Sequence, residues 1–241
     1  MTAAFFLGFV ALMAGLVIGL TTRLLGPHIG RAAATGLSLW LLYVGLLGYF
    51  GVTRATNLRP PGMAFILVPV VIVLVLTILK LRTPTGAKVA RCFPLWIVLG
   101  AQSFRVIVEL FLHQLWRDGV IPKMLTFSGS NVDIYIGATA PFAAWIATRG
   151  RGGRQLALVW NGLGLLALAN VVSRAVLSAP GPFQLIHAEV PNLMFGTFPY
   201  MFIPALFVPL ALILHAIAIR NLATRMSLIP LASKTYEKQR P

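Results

Sequence analysis

Seven runs of about 20 mainly apolar residues occupy most of this chain, and nothing else in it constrains the fold so tightly. They cover residues 3–22, 32–53, 63–79, 92–116, 132–148, 155–177 and 197–222. A run of that length crosses the hydrocarbon core of a bilayer as a helix. In lipid every backbone polar group needs a partner within the protein, so a spanning segment is a helix or belongs to a closed barrel. Barrel strands alternate apolar and polar residues over about 10 positions, and these runs do not alternate. The expectation is an all-α polytopic membrane protein. Residues 1–222 form a single seven-transmembrane-helix bundle, and residues 223–241 form a short basic tail. The composition, 58% hydrophobic and only 10% charged, excludes an ordinary soluble domain, a disordered chain and a coiled coil. The first run has no Lys or Arg before it and no small-residue cleavage site after it, so a retained helix is expected rather than a signal peptide.

The charge is one-sided: 20 Lys and Arg against 5 Asp and Glu, a net +15. In a soluble chain that excess reads as nucleic-acid binding. Here the cations follow the loops. Arg23, Arg31, Lys80, Arg82, Lys88, Arg91, Arg149, Arg151, Arg154, Arg220, Arg225, Lys234, Lys238 and Arg240 fall on alternate connections and the tail. Only Arg54, Arg59, Arg117 and Lys123 fall on the others. Lys and Arg collect on the cytoplasmic side of membrane proteins. The predicted orientation is therefore N-terminus outside and C-terminus cytoplasmic, in a bacterial inner membrane. A basic rim attracts anionic headgroups, so membrane lipids are the expected partners and nucleic acid is not. The segment Lys80–Arg91 is expected to be a loop.

Small residues and prolines punctuate the runs. Gly8, Gly15 and Gly19 share one face of the first helix, and Gly15 and Gly19 make a GxxxG pair. Such stripes let helices approach closely. Packing within the chain is the favoured reading, and a homo-oligomer is the alternative. Pro199, Pro204 and Pro209 are expected to kink the last helix.

The fourth run carries the chemistry. Gln102, Arg105, Glu109, His113 and Arg117 fall within about 120° of a helical wheel, as one polar stripe from mid-membrane to the outer surface. Charges at that depth normally face a bundle interior. Arg105 and Glu109 stand four residues apart, a spacing at which side chains pair. Asn131 and Asp133 at the outer start of the fifth run, Asn170 and Arg174 of the sixth, and Glu189 of the last loop are expected to converge on the stripe. The result is an outward-open polar pocket among helices four to seven. Glu109, held by Arg105, is read as an ionised orienting carboxylate and Asp133 as the proton donor. These two are the catalytic candidates. Gln102, Arg105, His113, Asn131, Asn170, Arg174 and Glu189 are the ligand-binding candidates.

No metal or cofactor is expected. His113 and His215 lie at depths about 20 Å apart, too far to share one haem iron. The last run has no Lys for a retinal Schiff base. The single cysteine, Cys92, forms neither an internal disulfide nor a CxxC site.

The tract Met124–Ile134, the pair Trp160-Asn161, and Phe198-Pro199 through Pro204, Pro209 and His215 resemble a family of bacterial seven-helix membrane proteins of unknown function. The likeness runs from about Arg105 onward and implies no activity. In size and helix count the chain is also similar to small integral-membrane terpene cyclases, an analogy of fold alone. The expected function is binding or conversion of an amphiphilic, isoprenoid-like small molecule in the polar pocket. A transporter or channel using the same stripe, and an accessory or sensory subunit, stay open as alternatives.

Overall fold

The computed structural model describes residues 2–54, 57–58 and 61–227. Arg59 and most of the basic tail lie outside the described residues. Within them the secondary structure is helical: α1 (Thr2–Leu25), α2 (Pro27–Tyr49), α3 (Ala64–Arg82), α4 (Pro84–Cys92), α5 (Leu95–Gly100), α6 (Phe104–Arg117), α7 (Asp133–Ile146), α8 (Gly150–Ser178) and α9 (Val208–Ser227). A 3-10 turn, Ala101–Ser103, joins α5 to α6 as one rod, and a π-helical turn, Ile203–Phe207, leads into α9. Six segments are long and apolar enough to cross a bilayer: Ala3–Leu25, Pro27–Tyr49, Ala64–Arg82, Leu95–Arg117, Gly150–Ser178 and Ile203–Arg225.

Local chemistry moves several of the expected boundaries. The second helix starts at Pro27 rather than at residue 32, because Gly26 takes a φ of 92° and Pro27 opens the helix behind it. The expected loop Lys80–Arg91 is helical. Thr83 breaks α3 in extended backbone, and its Oγ1 then accepts the Gly86 N–H at 3.1 Å to cap α4. The last helix is regular only from the π-turn onward, not from residue 197, and it runs beyond residue 222 to Ser227.

The fifth run differs most. Its helix, α7, has 14 residues, about 21 Å at 1.5 Å per residue. It lies antiparallel against the α5–α6 rod. A Cβ on Gly137 would meet the Val106 backbone nitrogen at 2.8 Å, and Gly100 stands one methyl contact from Ala144. The helix therefore starts opposite Arg105, not at the outer end of the bundle as expected. The segment before it descends into the protein, with Ile121, Leu125, Thr126 and Asn131 all buried. Irregular backbone at this depth is tolerable only when protein surrounds it.

The core is aromatic. Phe6 and Phe9 of α1 pack on Phe111 of α6 and on Phe207, with Phe9 and Phe207 stacked at 5.0 Å. The opposite face of α1 carries Gly8, Gly15 and Gly19, and a Cβ added at any of them would meet nothing within 4 Å among the described residues. Among the described residues the stripe thus packs against nothing, contrary to the favoured reading of packing within the chain.

Two prolines leave backbone carbonyls without their usual partner, and α2 supplies the missing donors. Pro209 has no N–H for the Ala205 carbonyl four residues earlier, and the Trp40 indole donates to that oxygen at 3.0 Å. Pro69 stands in the same relation to Phe65, whose carbonyl accepts from the Tyr43 hydroxyl at 3.2 Å. Trp40 and Tyr43 are neighbours on α2, with ring centres 5.6 Å apart.

Candidate functional site

Arg105 sits at the centre of the bundle and is 1% exposed. Its guanidinium grips the Asp133 carboxylate with both arms: Nε donates to Oδ2 at 2.7 Å and Nη2 donates to Oδ1. Nη2 also reaches the Gly164 carbonyl of α8 at 3.3 Å, and Nη1 reaches His215 Nε2 of α9 at 2.9 Å. One side chain thus ties four helices together. Gly137 and Gly164 make room for it, since a Cβ at Gly164 would collide with the His215 ring.

The hydrogen-bond chain fixes the histidine tautomer. Arginine only donates, so His215 Nε2 accepts. His215 Nδ1 must then carry the proton, which it donates to Asn161 Oδ1 at 2.9 Å. Asn161 Nδ2 in turn donates to the Ala157 carbonyl at 2.7 Å. Every member of this arm is satisfied.

Glu109 is not. The expected pair with Arg105 is absent, because the fork of Asp133 takes Nε and Nη2 together, a stronger arrangement than an end-on contact along one helix. Glu109 Oε1 instead accepts from Asn131 Nδ2 at 2.6 Å. Asn131 Nδ2 is shared with the Leu125 carbonyl, and Asn131 Oδ1 accepts the Asp133 N–H that opens α7. Glu109 Oε2 is buried without a partner among the described residues. The partner expected for Arg105 is therefore exchanged: Asp133 is the carboxylate held by Arg105, and Glu109 pairs with Asn131 instead.

Gln102 lies one turn away, donating to the Ala211 carbonyl at 3.2 Å, with its Oε1 unpartnered among the described residues. The other expected residues form a separate outer layer. His113 stacks on Phe127 at 4.5 Å and meets the Ser128 hydroxyl. Asn170 holds the Ser130 carbonyl and accepts from Arg174. Glu189 is an exposed loop residue that accepts the Lys123 N–H at 2.7 Å. That bond holds its carboxyl below the usual range.

Beside the cluster lies a cavity of about 540 Å³. α3 and α8 both pack on α9, and the cavity fills the wedge between them. Leu67, Val71 and Leu74 of α3, Leu168 and Val172 of α8, and Leu212 of α9 supply apolar wall. Arg105, Glu109 and Asp133 border its inner side, and Arg54 stands at its rim. The expected lining by helices four to seven thus gives way to a lining in which the third helix takes a large share.

Asn161 and His215 were missing from the sequence-derived site. The signal was depth. His215 stands ten residues before Arg225 and Arg105 ten residues after Leu95, in helices of opposite direction that end at the same basic rim.

Apolar helices of spanning length, closed around a buried ionic cluster, define a multi-pass membrane protein. Residues 60–223 match a family described as a domain of unknown function, DUF8737, and the chain belongs to that family. No curated protein and no solved structure matches it. The matched region holds every member of the cluster, whereas α1 and α2 precede it.

Proposed function

We propose that this protein is a seven-crossing inner-membrane protein, N-terminus outside, that binds an amphiphilic, isoprenoid-like molecule in the wedge between α3 and α8. The observation that carries the reading is the cavity itself: an apolar wall closed at one side by Arg105–Asp133 and Glu109. Such a cavity suits an apolar chain with a small polar head. Val68 and Val71 of α3 line it while remaining half exposed on the outer surface of the helix. An apolar chain therefore enters from the bilayer rather than from water. The seventh crossing is made by α7 together with the buried segment that descends to it. Glu109, with one carboxylate oxygen that has no partner among the described residues, is the group that meets the head or handles a proton. Asp133 neutralises Arg105.

The test is the lipid extract of the purified protein. Wild type retains a single-chain amphiphile, and Val172→Trp, which fills the wedge, loses it. Identical extracts from the two proteins would overturn the reading. If an amphiphile is retained but passes across proteoliposomes unchanged, transport takes the place of conversion.

A further inference from the structure

A second cleft lies at the basic end of the bundle, far from the ionic cluster. It has a volume of about 310 Å³ and is lined by Pro94, Leu95, Trp96, Ala147, Thr148, Arg154 and Arg225. Four elements meet there: the start of α5, the end of α7, the start of α8 and the end of α9. Two guanidinium groups line one cleft, and the acids among the described residues are Glu109, Asp118, Asp133 and Glu189, all towards the other end. The single ion pair among them, Arg105–Asp133, is also elsewhere. Two cations facing one cavity repel each other unless an anion comes between them.

The arrangement is built rather than incidental. Asn221 is fully buried, and its Nδ2 donates to the carbonyls of Ala90 and Phe93 at 3.1 and 2.9 Å, closing the end of α4. Its Oδ1 accepts from Arg225 Nε at 2.7 Å. A buried amide thus fixes the stem side of the Arg225 guanidinium, and the group is held at the cleft wall. Trp96 flanks the same cleft and is 61% exposed, and Trp145 on α7 is 49% exposed with Arg149 stacked on it at 4.3 Å. Exposed Trp of this kind sits at the boundary between hydrocarbon and headgroups. A ligand in the cleft has its anionic part between two arginines and its apolar part beside tryptophan and leucine.

We infer that this cleft is a binding site for the phosphate of an anionic phospholipid, held between Arg154 and Arg225. The site is separate from the wedge between α3 and α8 and does not depend on what occupies that wedge. The experiment is native mass spectrometry of the full chain released from nanodiscs of phosphatidylglycerol or of phosphatidylcholine. Wild type retains one phosphatidylglycerol in preference to phosphatidylcholine. Arg154→Gln/Arg225→Gln binds it about thirtyfold more weakly, at roughly fivefold per arginine. Arg154→Gln alone, which leaves the Arg225–Asn221 bond intact, binds it about fivefold more weakly with an unchanged melting temperature in phosphatidylcholine. Arg151→Gln, on the same rim but outside the cleft, matches wild type. Equal retention of the two lipids, or retention unaffected by the double substitution, overturns the inference. Displacement of the lipid by millimolar inorganic phosphate reassigns the cleft to a free anion. Retention that rises sharply in Glu237→Gln gives the cleft to the chain's own tail carboxylate instead.

Discussion

Arg105 shows how one buried charge organises a membrane bundle. Its guanidinium has donors in several directions, and each finds a different helix: Asp133 of α7, the Gly164 carbonyl of α8 and His215 of α9. Removing one partner from such a site leaves a charge stranded in a low-dielectric interior. Asp133→Asn keeps the shape and removes the compensation. It is expected to lower stability by about 3–5 kcal/mol, read as thermal unfolding in detergent. Arg105→Met/Asp133→Leu is expected to cost clearly less than the two single changes added together, because neither charge is then left alone. Additive losses would mean the two side chains are not energetically coupled. The sequence already exposed Arg105, Glu109, Asn131 and Asp133 as polar residues in apolar surroundings, since each is costly in lipid without a reason to be there. The choice of partner was not legible. Spacing within one helix favours Arg105 with Glu109, and only the descent of the 121–132 segment brings Asp133 within reach.

At the scale of the element, α2 is a clamp. It lies before the family-matched region, yet its indole and phenol satisfy carbonyls that Pro209 and Pro69 leave open on α9 and α3. A buried carbonyl without a donor costs about 1–3 kcal/mol. Trp40→Phe is expected to destabilise the fold by that amount while keeping the ring contact with Tyr43. Pro209→Ala restores an N–H in the last helix, so Trp40→Phe/Pro209→Ala is expected to lose less than Trp40→Phe alone. Equal losses in denaturant unfolding would show that the indole bond is incidental. The kink at Pro209 was readable from sequence as a missing donor, but its remedy was not. Trp40 and Ala205 are 165 positions apart, and no local pattern links them. The capping of α4 by Thr83 is the opposite case: Thr-Pro before a basic stretch is a helix start in local terms alone, masked by four cations among the twelve residues Lys80–Arg91, a density that favours a loop.

At the scale of the whole molecule, the arrangement of the ends depends on α7. Among the described residues six helices have the length and apolarity to cross alone, and an even number would place the two ends on one side. α7 is about two thirds of a spanning helix. It runs from the level of Arg105 to the basic rim, where Ala147 and Thr148 share a cleft with Leu95 and Trp96. On the proposed topology the descending segment, with Ile121, Leu125, Thr126 and Asn131 buried, supplies the remaining depth and makes the seventh crossing together with α7. The lone cysteine offers a direct measurement, since Cys92 is exposed at the basic rim. In intact spheroplasts a membrane-impermeant maleimide is expected to leave Cys92 unlabelled until the membrane is permeabilised. In a Cys92→Ser background, Ser128→Cys on the exposed segment before α7 is expected to label at once, and Arg151→Cys after α7 only on permeabilisation. Labelling of Cys92 in intact spheroplasts would invert the orientation. Labelling of Arg151→Cys from the same side as Ser128→Cys would remove the crossing at α7, and with it the coincidence of depth that sets Asp133 against Arg105 inside the bilayer.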